Sequence, residues 1–131
     1  MASMRKYLPI MRNLRSFSTS RIASQEYLVI AQDIQEPETL ERRKDARPAH
    51  LEAVEEAVEQ GSFLWGGAML NEGKPIGSAL LLQADTVAEI REQLKNDPYI
   101  EGRVWDPARI QIIPVRTAVA AFERNAKPAT N

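Results

Sequence analysis

The chain has no cysteine and a single histidine. The first absence removes disulfides and thiolate chemistry. The two together remove the donor set of a zinc site built on nitrogen and sulfur. An all-carboxylate magnesium site stays open in principle, but no acidic cluster points to one, so no metal is expected. Aromatic residues make up only 6% of the sequence. The stretch "IGSALLLQA", read as the third strand, has none, and residues 25–131 are acidic, so a basic aromatic sheet for reading RNA is not expected. Ser62 and Ser78 have no base at a suitable spacing, which argues against a serine hydrolase.

One further absence is local. Residues 1–24, "MASMRKYLPIMRNLRSFSTSRIAS", contain no acid but carry Arg5, Lys6, Arg12, Arg15 and Arg21. The whole chain holds 17 basic and 18 acidic residues; without this segment, 12 basic residues face 18 acidic ones. An Arg- and Ser-rich start without acids has the composition of a mitochondrial transit peptide. It lacks the long apolar run of a secretory signal or a membrane span, and no membrane partner is expected. Within "RSFSTSRIAS", Arg15, Phe17 and Ser20 resemble a two-step mitochondrial processing pattern, which places the mature start near Gln25. The expected organisation is a targeting segment at 1–24, one domain at 25–117 and a tail at 118–131. A chain of 131 residues with 44% hydrophobic and 27% charged residues has room for one such soluble domain.

What is present reads as alternating strands and helices. "EYLVIAQ", 26–32, is short, apolar and rich in β-formers, a strand. The charged stretch after it reads as loop with a turn or two of helix, and its "RRKDAR" as an exposed face. From 48 to 60 the pattern is helical: Leu51, Val54 and Val58 share a face, Pro48 suits the first turn and Gly61 the stop. "SFLWGGAML", 62–70, and "IGSALLLQA", 76–84, are strands joined by the turn "NEGKP". Residues 86–97 form the second helix, with Thr86 and Glu89 as a capping box and Val87, Ile90 and Leu94 as the apolar stripe. "PYIEGRVWDP" reads as loop, and 108–116 as the last strand.

The order β-α-β-β-α-β is that of a ferredoxin-like α+β fold: a four-stranded antiparallel sheet with two helices on one face. Its topology puts the start of the first helix and the end of the second at one edge of the domain. His50 stands near the former and Asp97 at the latter. The strands are apolar on both sides: Leu28 and Ile30 oppose Tyr27, Val29 and Ala31. Two helices cover one face only, and a bare apolar face is avoided by soluble monomers. A homodimer with sheets packed face to face is expected, unless the tail after Arg116 folds back over the sheet.

Three stretches, "RPAHL" in the first helix, "GGA" in the second strand and "DPY" after the second helix, resemble the YCII-related domain family. The likeness spans about 26–117 and is of a mitochondrial, fungal type. It implies the dimeric α+β barrel, with a cleft between helices and sheet. It also implies that His50 and Asp97 correspond to the family's active-site pair, and its relatives include lyase- and isomerase-type enzymes that work without a cofactor. Members commonly have Gly-Pro in the second strand where Gly67-Ala68 stands here.

On the residues themselves the readings divide. A histidine exchanges protons near neutrality and suits a general acid or base, with Asp97 fixing its tautomer; equally, His50 borders the core and Asp97 ends a helix. Arg47 is a candidate anchor for an anionic substrate group, or a solvated charge. Gly66 and Gly67 either admit a ligand to the strand backbone or allow tight packing. Tyr99, with Trp65 and Trp105, either walls a pocket or fills the core. The expectation is a small cofactor-free enzyme using His50 and Asp97 for proton transfer, with Arg47, Gly66, Gly67 and Tyr99 at the substrate. The alternative is a non-catalytic dimeric module that binds a small molecule or assists another mitochondrial enzyme.

Overall fold

The structure, a computed structural model, describes residues 24–121. The targeting segment expected at 1–24 lies outside this range except for Ser24, as does the tail beyond 121. Strands β1 (Gln25–Asp33), β2 (Phe63–Asn71), β3 (Lys74–Ala84) and β4 (Trp105–Val115) form one sheet in the order β2-β3-β1-β4. All neighbouring strands pair antiparallel. Helices α1 (Thr39–Gln60), α2 (Val87–Lys95) and the short α3 (Pro98–Glu101) complete a ferredoxin-like α+β domain. Among the described residues no helix is long and apolar enough to cross a membrane.

Alternation along the strands sets the two faces. Tyr27, Val29 and Ala31 of β1 and Leu80 and Leu82 of β3 point to the helices, where they are buried with Ile90, Leu94, Tyr99, Val104 and Trp105. The opposite face carries Leu28 beside Leu81 and Ile113, with Trp65 across from Leu81. Trp65 is 43% and Ile113 40% exposed. Residues 118–121 are exposed, Val119 by 87%, so the described part of the tail does not shield this face.

Three expectations are corrected. Helix α1 begins at Thr39, well before Pro48, which lies inside the helix. A proline within a helix removes one backbone hydrogen bond, to the carbonyl four residues earlier. That carbonyl belongs to Lys44, an exposed residue, where water can replace the lost donor. The start is fixed locally, as Thr39 Oγ1 donates to the Ile34 carbonyl at 2.7 Å. The helix stops as expected at Gly61, whose φ of 83° is the left-handed conformation that glycine adopts freely. "PYIE" is a helical turn rather than loop, and β4 starts at Trp105. Finally, "RRKDAR" is not one exposed face. Thr39, Arg43, His50 and Val54 are the buried residues of α1, a stripe at helical spacing that is polar over most of its length.

Candidate functional site

The tripeptide Asp97-Pro98-Tyr99 organises the site. Asp97 is the N-cap of α3, in extended conformation. Pro98 follows at the first helical position, where it has no N–H to lose. The first donor available to the cap is therefore the N–H of Tyr99, and it reaches Asp97 Oδ1 at 2.8 Å. The same oxygen meets His50 Nδ1 at 2.8 Å across 47 residues of sequence. An ionised carboxylate can only accept, so Nδ1 donates, and the neutral imidazole keeps its lone pair on Nε2. Both side chains are largely shielded, at 10% and 14% exposure for His50 and Asp97. His50 comes from the middle of α1, not from its start, because the helix extends further back than its apolar pattern suggests.

The imidazole lies flat on Tyr99, with ring centroids 3.9 Å apart and planes 7° from parallel. Trp105 stands edge-on to both rings. Tyr99 also carries the Arg43 guanidinium, 4.9 Å from its centroid. Burial pushes the Tyr99 phenol above its ordinary value of 10.0, against the pull of Arg43 and then Arg47. Arg43 is buried and held through Nε and Nη2. Its Nε donates to Asp33 Oδ2 at 2.9 Å, and Nη2 to the Gly77 carbonyl at 2.9 Å and to Ser78 Oγ at 2.8 Å. Ser78 Oγ also accepts from Trp105 Nε1 at 3.0 Å. A polar layer thus runs beneath α1 from Asp33 through Arg43 and Tyr99 to His50 and Asp97.

A cleft of about 600 Å³ opens beside this layer, between α1, α2 and the β2–β3 floor. Val54, Phe63, Leu80, Leu82 and Leu94 line it, and Asp97 bounds it. Asp97 is therefore common to the cleft and to the pair, whereas His50 touches the pair only. The charged groups along the cleft are all carboxylates: Glu56, Asp85, Glu89 and Asp97.

Of the residues singled out from sequence, the fold brings His50, Asp97 and Tyr99 together. Arg47 sits one turn before His50 on α1, half-buried, with no ion-pair partner among the described residues. Gly66 and Gly67 do not line the cleft. A Cβ at Gly66 would collide with the Phe63 ring, so its smallness serves packing, while Gly67 has open space beside it. Tyr99 and Trp105 are core residues, 1% and 0% exposed; Trp65 lies on the open sheet face. Sequence reasoning missed Arg43, Asp33 and Ser78. The available signal was spacing: Arg43 is one helical repeat of seven before His50, and Asp33 continues the inward alternation of Val29 and Ala31.

Fold and site together define a small α+β domain of ferredoxin-like topology, with one histidine–aspartate contact under its helices. The chain belongs to the YCII-related domain family, which it matches over residues 26–114. It is 37% identical over 70 residues to the derivative of benzaldehyde biosynthesis cluster protein C of Emericella nidulans, covering 47% of this chain and 71% of that protein. With aspercryptin biosynthesis cluster protein B of the same fungus it shares 31% identity over 103 residues, or 72% of this chain and 65% of that one. Fusaric acid biosynthesis protein 2 of Gibberella moniliformis is 28% identical over 70% of this chain and 93% of its own length. Among solved structures, 5-chloro-2-hydroxyhydroquinone dehydrochlorinase of Burkholderia phenoliruptrix, in complex with 2,5-dihydroxybenzoquinone, aligns with a TM-score of 0.57. The identity there is 24%, over 72% of this chain and 95% of that one, a likeness of fold.

Proposed function

We propose that this chain is a small cofactor-free enzyme that moves a proton on a small organic substrate, in a lyase- or isomerase-type reaction. The observation that carries it is the contact of the sole histidine with Asp97. With Nδ1 engaged, Nε2 is the base. It takes a proton from a substrate carbon or hydroxyl, Asp97 stabilises the resulting imidazolium, and the proton returns to another substrate atom or to a leaving group. Such a group contributes on the order of 10²–10⁴-fold in rate. Arg47, one turn away and without an ion-pair partner among the described residues, is the candidate anchor for an anionic substituent. The fungal relatives named for biosynthesis clusters agree with a small-molecule substrate.

A second reading has its own observation. His50 is stacked on Tyr99 and largely shielded, and Asp97 caps α3, so both residues have structural work. On that reading the chain binds a small molecule, or assists another enzyme, without turnover. Two further elements of the proposal are a homodimer through the open sheet faces and delivery to the mitochondrion by residues 1–24. A fluorescent fusion to residues 1–24 should reach mitochondria and lose that address when its five basic residues become glutamine.

The test of function is a thermal-shift screen of the full chain against hydroxylated quinones and phenols, beginning with 2,5-dihydroxybenzoquinone, followed by turnover assays on every binder. The enzyme reading expects conversion that falls by about 10²–10⁴-fold in His50→Asn with binding retained. Binding without conversion selects the second reading. Undiminished turnover in His50→Asn removes the histidine from the mechanism.

A further inference from the structure

Resting on the proton-transfer reading above, we infer that Tyr99 is the positioning residue of the His50–Asp97 pair and holds both of its members at once. Its main-chain N–H donates to Asp97 Oδ1 at 2.8 Å, fixing the very oxygen that His50 uses. Its ring lies 3.9 Å from the imidazole and within 7° of parallel, fixing the plane in which Nδ1 points at that oxygen. A histidine on an exposed helix face turns about two side-chain bonds. Here one face of the ring is covered by Tyr99, and Trp105 stands edge-on at 5.6 Å. A tilt of the imidazole therefore requires Tyr99 to move. Tyr99 is in turn 1% exposed and carries Arg43, which is tied to Asp33, Gly77 and Ser78. The position of the base is thereby referred to β1 and β3 rather than to α1 alone.

The two contacts are separable because one is main chain and one is side chain. Any residue at 99 except proline keeps the N–H; only an aromatic ring keeps the stack. Phenylalanine keeps both contacts and should preserve the geometry of the pair. Leucine keeps the N–H, fills most of the volume and loses the stack. Tyr99 touches no reacting atom in this scheme, so its effect must pass through His50.

The sole histidine makes the test direct, since one imidazole gives one set of resonances. Long-range ¹⁵N–¹H correlation spectra of the full chain, recorded with the ring neutral, should show Nδ1 protonated. The imidazole carbon-bound protons should be displaced upfield by the ring current of Tyr99. Tyr99→Phe should retain both signatures, whereas Tyr99→Leu should lose the upfield displacement and mix the two tautomers. In turnover assays on any substrate found, Tyr99→Leu should lower kcat more than it raises KM. A wild-type spectrum without the upfield displacement overturns the inference before any variant is made, so a leucine variant that does not fold leaves it decidable. Tyr99→Leu with an unchanged tautomer overturns it as well. None of these spectra depends on turnover, so a protein that proves non-catalytic can still have Tyr99 holding the pair, and the two failures are told apart.

Discussion

Arg43 and Asp33 face each other where water is largely excluded, at 9% and 6% side-chain exposure. Removing one partner of such a pair strands the other charge, at a cost of about 3–5 kcal/mol. Arg43→Leu is accordingly expected to lower the unfolding free energy by about that amount in urea titration. Adding Asp33→Leu should recover much of the loss, because the stranded carboxylate disappears with it. Equal losses in the single and double variants would mean that packing, not charge, is what Arg43 supplies. Tyr99 gives a second residue-level expectation, in pH. Its phenol titrates above 10.0 in the folded chain because burial disfavours the phenolate, while the unfolded chain titrates near the ordinary value. The neutral form is thus favoured by folding. Stability from this group is complete below about pH 10 and is lost as pH rises through the folded value. The urea midpoint of the wild type should fall more steeply than that of Tyr99→Phe above about pH 10; parallel curves would place the alkaline weakness elsewhere.

At the scale of elements, Pro48 makes α1 an experiment in itself. A proline in a helix interior costs about 3 kcal/mol relative to alanine, net of its stiffening of the unfolded chain. Pro48→Ala should therefore stabilise the protein by up to about 3 kcal/mol, read as a raised melting temperature. No rise would mean that the site already accommodates the missing hydrogen bond. The same proline explains how much of the fold could be read in advance. It marks a good helix start, and the residues before it are charged, so the apolar pattern begins only at Leu51. What extends the helix to Thr39 is a polar stripe, and polarity carries no sign of burial until Asp33 and Ser78 are known to lie opposite. The element order, the Gly61 stop and the Thr86 cap were legible because each rests on local chemistry. His50 beside Asp97 was legible only through the family resemblance, because the topological argument took His50 to stand at the start of a helix in which it lies midway. Tyr99 between His50 and Arg43 was not, since it depends on α3, a single turn whose cap makes sense only with Asp97 in place.

At the scale of the whole molecule, the sheet has one face under helices and one without cover among the described residues. Half-buried Leu28, Ile30 and Leu81 and exposed Trp65 and Ile113 lie together on the open side, and residues 118–121 are themselves exposed. Contiguous apolar surface of this kind marks an interaction site in a soluble protein. A second copy can meet it with the same surface, as a two-fold contact requires, and sheets stack about 10 Å apart with their side chains interdigitated. The proposed dimer follows, and Trp65 and Ile113 are its most exposed large contributors. Light scattering should give twice the chain mass across a dilution series. Trp65→Glu with Ile113→Glu sets like charges against each other at the contact and should yield a folded monomer with the His50 resonances unchanged, because the pair lies on the opposite side of the sheet. A wild type that scatters as a monomer at every concentration refutes the dimer, and the apolar face would then have to be covered by residues beyond 121 or by a different protein.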